Sequence, residues 1–158
     1  MGAGAIEHRP ITDQDTEFLY TLYASTRAEE MAVLPWNEQE KQEFLRMQFE
    51  AQHKFYQEQF CNAEFNIISI NKKDIGRLYI DRRKDEIRVI DIALLPEHRG
   101  KGLGAKIMQE VLDEAASANT WVRIHVEHNN PAMRLYERLG FRKIDDHGVY
   151  FLMEWMPK

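Results

Sequence analysis

Residues 87–118 read IRVIDIALLPEHRGKGLGAKIMQEVLDEAASA: an apolar run, a proline, three glycines at every second position, then an amphipathic segment. The β-branched apolar run over 87–95 predicts a buried central strand. After the glycines, Leu103, Ile107, Val111 and Ala115 recur every four residues, with Met108 and Leu112 beside them. That spacing predicts a helix whose stripe packs on a core. A helix that starts straight after a glycine-rich turn leaves its first N–H groups without partners, at the positive end of its dipole. Gly100, Gly102 and Gly104 carry no Cβ to hold an anion off the backbone, and Arg99 and Lys101 add positive charge. The layout predicts a pyrophosphate site.

Spacing narrows the ligand. No glycine is followed by Lys and then Ser or Thr, so this is not a Walker loop, and G-K-G-L-G brings the third glycine one residue too early for a dinucleotide fingerprint. What remains is R-x-x-G-x-G, formed by Arg99, Gly102 and Gly104 after a strand ending in L-L-P. A second stretch, HVEHNNPAMRLYERLGF over 125–141, lies downstream. Together they resemble the GNAT superfamily of acyl-CoA-dependent N-acyltransferases, of a small bacterial type.

The resemblance implies acetyl-CoA as co-substrate and no metal. Arg99, Gly100, Lys101, Gly102, Leu103 and Gly104 would hold the pyrophosphate, and the backbone of Ile92, Ala93 and Leu94 would meet pantetheine and supply the oxyanion donor. Tyr136 matches the family's general acid, which also touches the cofactor. Asn129 or Asn130, followed by the small Ala132, would bind the pantetheine arm. Counting back from Tyr136 favours Asn129, whereas an N-P-A-x-x-L-Y reading favours Asn130, and both stay open. The implied fold is α/β (α+β): a central mixed, mostly antiparallel sheet of about six to seven strands with helices on both faces, splayed at the centre.

The chain in order agrees with that outline. Strands are expected over 6–10, 65–70, 75–82, 87–95, 121–126 and 149–155, and a single domain over 1–158. Thr12 caps a first helix carrying Phe18, Leu19, Leu22 and Tyr23, and residues 25–36 break its regularity. Asn37 caps a longer helix on which Phe44, Leu45, Gln48, Gln52, Phe55 and Tyr56 fall near one another. That face is either an ordinary amphipathic one or a wall of the acceptor pocket. Pro131 opens the helix carrying Tyr136, and Gly140 ends it.

Acyl transfer to an amine needs a base first. Deprotonating an alkyl ammonium of pKa about 10.4 near neutrality costs around 4 to 5 kcal/mol. Asp91, an acid in an apolar strand, must be hydrogen-bonded structurally or used as that base. The family's strand-borne bases match Arg88 and Ile90, which cannot serve, and strand alternation turns Asp91 to the opposite face from those positions. Glu30, Glu127 and His125 are the other candidates, and His98 reads as a turn residue.

A net charge of −5 argues against a general nucleic-acid binder. The lone Cys61, with no apolar run of membrane-span length, favours a reducing cytoplasm. MGAGAI lacks a signal-peptide pattern and fails the myristoylation pattern at Ile6. The expected partner is a small-molecule or peptide amine, without nucleic acid or membrane, and a homodimer is left open. Glu29 and Glu30 weakly favour a cationic acceptor. The alternatives are a non-catalytic acyl-CoA-binding module and an interaction scaffold built on the long helix.

Overall fold

Short polar signals set the boundaries of the first helices. The Asp15 carboxylate accepts the Thr12 N–H at 2.8 Å and the Thr12 hydroxyl accepts from Gln14, which turns the chain into α1 (Thr16–Thr26). Ser25 and Thr26 hydroxyls bond back to the carbonyls of Leu22 and Tyr23, so the break expected at residue 25 falls instead at Arg27. One further turn, α2 (Ala28–Ala32), follows. Asn37 and Glu40 exchange side-chain-to-backbone bonds at 2.8 and 3.1 Å to start α3 (Glu38–Gln59).

The computed structural model describes residues 5–157, so the reading of MGAGAI lies largely outside the described residues. Its strands are β1 (Ile6–Pro10), β2 (Glu64–Ile70), β3 (Lys73–Arg82), β4 (Glu86–Leu94), β5 (Trp121–Glu127), β6 (Arg142–Asp146) and β7 (Tyr150–Trp155). The remaining helices are α4 (Leu103–Ala118) and α5 (Met133–Leu139). The strands form one mixed sheet in the order β1-β2-β3-β4-β5-β7-β6, parallel between β4 and β5 and antiparallel elsewhere. β6 escaped the sequence because RKIDD has no apolar alternation; all five residues are exposed at the sheet edge.

Each face of the sheet carries a core. On one, Leu78, Ile80, Ile87, Val89, Val122, Ile124 and Met153 pack with Ile107, Met108, Val111, Leu112 and Ala115 of α4, as the four-residue stripe requires. On the other, Leu19, Tyr20 and Tyr23 of α1 pack with Leu45 and Phe49 of α3 over Ile67. His53 stacks on Phe49 with centroids 5.6 Å apart.

Burial first, then the nearby Arg77 charge, holds the His53 imidazole below its ordinary value. The unfolded chain therefore takes up a proton that the folded protein resists, and stability rises with pH up to about 6.5, the free histidine value. Thermal melts should show Tm falling from pH 7 to pH 5.5, and His53→Gln should reduce that fall.

Candidate functional site

The site forms where the two central strands part. β4 and β5 are in register from Glu86–Trp121 to Val89–Ile124 and pair no further. On β4's other side, Val89 opposes Ile80 and Asp91 opposes Tyr79, so Ile90 is an extra residue, a β-bulge. A bulge bends its strand, and the parting begins there. From Asp91 to Leu94, β4 pairs only with β3, which leaves its other edge open to a slot before the end of β5. A Cβ on Gly76 would collide with the Ala93 carbonyl oxygen and the Leu94 side chain, so glycine is what lets β3 hold this half of β4 closely.

The bulge also corrects the expectation for Asp91. Arg77, Tyr79 and Asp81 alternate along β3, opposite Ala93, Asp91 and Arg88. Asp91 therefore shares a face with Arg88, because the extra residue reverses the alternation that a regular strand would give. On that face the Arg77 guanidinium donates to the Asp91 carboxylate and, at 3.0 Å, to Gln52 Oε1 of α3. It also lies over the Tyr79 ring at 4.8 Å.

The chain leaves β4 through a short turn over Pro96–His98, where His98 sits, and reaches the glycines. Gly100 and Gly102 have φ of 72° and 80°, left-handed values that other residues adopt only under strain. A Cβ on either would touch nothing within 4 Å, so the requirement lies in the backbone and not in space. Gly104 is different: its φ is not positive, and an added Cβ would meet Leu135 at an ordinary 3.8 Å. No side chain caps α4 and its first turn holds no acid. The first helical bond runs from Lys106 N–H to the Gly102 carbonyl at 3.0 Å, so the N–H groups of Leu103, Gly104 and Ala105 are left to an outside acceptor.

The two cations of the turn divide their work. Arg99 donates to the Leu94 carbonyl at 2.8 Å and to the Ser25 hydroxyl at 2.9 Å, tying the end of β4 to α1. Lys101 is exposed and makes no ion pair among the described residues. The asparagines divide as well. Asn130 Oδ1 accepts the Ala132 N–H at 2.8 Å and starts α5, whereas Asn129 is exposed and makes no side-chain hydrogen bond among the described residues.

Tyr136 is buried in α5, edge-on to Phe141 at 5.8 Å. Burial first, and then the Asp91 charge, push its phenol well above the ordinary tyrosine value, so it stays protonated. Burial acts likewise on Tyr56, which also feels Asp91 and Tyr150.

Tyr150 leads to a pocket of about 320 Å³. Tyr23, Arg27, Glu30 and Met31 form one wall, Phe44, Leu45 and Gln48 of α3 a second, and Glu127, Val149 and Tyr150 face them. The Arg27 guanidinium stands 3.1 Å from Glu30 and 3.5 Å from Glu127. His125, two residues before Glu127, is exposed with its ring 6.4 Å from that of Tyr150. Along α3, Phe44, Leu45 and Gln48 line this pocket, Gln52 braces Arg77, and Phe55 is 54% exposed. Arg77, Gly76, Arg27 and Tyr150 were not singled out from sequence. A glycine inside a strand pattern was the available signal for Gly76.

Residues 27–141 match the model of the acetyltransferase (GNAT) family. The chain is 30% identical over 84 residues to the [ribosomal protein bS18]-alanine N-acetyltransferase of Haemophilus influenzae, covering 51% of this chain and 56% of that protein. It is 34% identical over 58 residues to streptothricin acetyltransferase of Streptomyces lavendulae, covering 35% and 30%. It thus spans little more than half the length of one of these relatives and less than a third of the other. In structure it resembles the PaiA N-acetyltransferase of Thermoplasma acidophilum, solved with coenzyme A, with a TM-score of 0.71 at 18% identity over 96% of this chain and 99% of that one. That likeness is one of fold.

Proposed function

The chain belongs to the acetyltransferase (GNAT) family, and from that premise we propose that it moves an acetyl group from acetyl-CoA to a primary amine by direct transfer within a ternary complex. One observation carries the reading: the uncapped start of α4, behind left-handed Gly102, stands at the mouth of the slot between β4 and β5. An anion-binding helix end beside an open strand edge suits a diphosphate joined to an amide-bearing arm.

Acetyl-CoA would supply the acyl group and a thiolate leaving group. The amides of α4's first turn and Lys101 would bind the diphosphate, with Gly100, Gly102, Leu103 and Gly104 supplying backbone. Arg99 serves by bracing the turn against Leu94 and Ser25. The free edge at Ile92, Ala93 and Leu94 offers N–H groups to pantetheine and to a carbonyl oxygen that gains charge. Asn129 is assigned to the pantetheine arm, since the Asn130 side chain is held in place by the bond its Oδ1 accepts from the Ala132 N–H. Tyr136 keeps its proton until a thiolate needs it. Asp91, claimed by Arg77, acts as an orienting acid. Glu127 combines a place in the pocket with one at the end of β5, and we assign it the ammonium proton.

Thiol release from acetyl-CoA in the presence of amines tests the proposal. Tyr136→Phe should lower kcat by about a hundredfold, the low end of general-acid effects, and leave the acetyl-CoA thermal shift intact. Unchanged turnover would remove Tyr136 from catalysis. Absence of any acetyl-CoA-dependent stabilisation in the unaltered protein would overturn the whole reading.

A further inference from the structure

Resting on the acetyltransferase reading above, we propose that the acceptor is a singly charged primary amine with an apolar group beside it, and not a polycation. At about 320 Å³ the pocket is at the small end of ligand sites, which suits one amine and one side chain. Its walls carry two carboxylates, Glu30 and Glu127, and one guanidinium, Arg27, lying between them at 3.1 and 3.5 Å. The lining therefore holds one uncompensated negative charge. One ammonium balances it, whereas a second would face no counter-charge and would be repelled by Arg27.

Apart from the Gln48 amide and the hydroxyls of Tyr23 and Tyr150, the rest of the lining is apolar, from Met31, Phe44, Leu45 and Val149 with the two tyrosine rings. Apolar surface continues past the mouth. Val149 is 64% exposed, and Trp36 packs edge-on to Phe44 at 5.2 Å. A polyamine or an aminoglycoside would find only the Gln48 amide and two tyrosine hydroxyls for its further polar groups, too few to satisfy them. Two sources supply the favoured chemistry: a polypeptide beginning with an apolar residue, or a small arylalkylamine.

Calorimetric titration of amines into the protein saturated with coenzyme A measures binding without turnover. Methionyl-leucinamide and phenethylamine should bind at least about tenfold more tightly than spermidine. The stronger of the two names the source. Glu30→Gln with Glu127→Gln should weaken both monoamines by about tenfold or more. Val149→Asp, at an exposed position, raises the excess charge to two and should move the preference toward spermidine. Spermidine binding as tightly as the monoamines, or monoamine affinity indifferent to the double substitution, would overturn the inference. If that happens while acetyl-CoA still stabilises the protein, the acetyltransferase reading survives and only the acceptor class falls.

Discussion

Asp91→Asn is expected to destabilise the fold by about 3 kcal/mol, the low end of the cost of breaking a buried ion pair from one side. The Arg77 side chain is only 4% exposed, and Asp91 is its anionic partner. A guanidinium cannot shed its proton, so without that carboxylate a full charge stays under α3 with Gln52 Oε1 and the Tyr79 ring for company. Water reaches Asp91, which is partly exposed, and this keeps the loss from being larger. For a chain of this size the change corresponds to a fall in Tm of roughly 6 to 12 °C. Urea unfolding measures it directly. Replacing both partners with apolar residues, as in Arg77→Met with Asp91→Leu, should recover most of the loss, because it removes the two charges together. A purely catalytic Asp91 predicts the opposite pattern: stability preserved in Asp91→Asn and turnover lost. Unchanged urea midpoints would therefore end the orienting role assigned here.

The same pair marks how far the sequence could be read. Residues 87–118 announced a strand, a glycine turn and a packed helix because each follows from local chemistry: β-branched residues, alternating glycines, a four-residue apolar repeat. The LYERLGF stretch located Tyr136 on a short helix ended by Gly140, whose φ of 105° explains the glycine. The bulge at Ile90 was not legible, since an extra residue in a ladder is defined by the partner strand and not by the strand itself. The face of Asp91 was misjudged for that reason alone. Its partner Arg77 sits fourteen residues earlier in another strand, and a buried arginine looks in sequence like any surface one. The role of Arg99 depended on Ser25, which only the fold brings near. The pocket of about 320 Å³ gathers α1, α2, α3 and the β5 and β7 ends, so no single stretch could have revealed it.

Gly102→Glu should leave the free protein folded and abolish its stabilisation by acetyl-CoA. In the unaltered protein, acetyl-CoA at a hundred times its dissociation constant should add about 2.7 kcal/mol. A side chain at φ 80° costs about 1 to 2 kcal/mol, but nothing lies within 4 Å of the new Cβ, so strain is the whole penalty. Against it, a carboxylate at the uncapped start of α4 favours the helix dipole by about 0.3 to 1 kcal/mol. The fold should thus lose about 1 kcal/mol on balance, while the amides meant for the diphosphate receive an acid that cannot leave. Gly102→Ala separates strain from charge: it carries the left-handed penalty with no carboxylate, and most of the acetyl-CoA shift should persist. Arg99→Ala should weaken binding less than Gly102→Glu, because its guanidinium is engaged with Leu94 and Ser25 and reaches the ligand only through the shape of the turn. Thermal shift across the three variants gives the order directly. An undiminished shift in Gly102→Glu would mean that the diphosphate does not bind at this helix end. The assignments of Lys101, Asn129 and the open edge of β4, all of which take their direction from that anchor, would then have no basis.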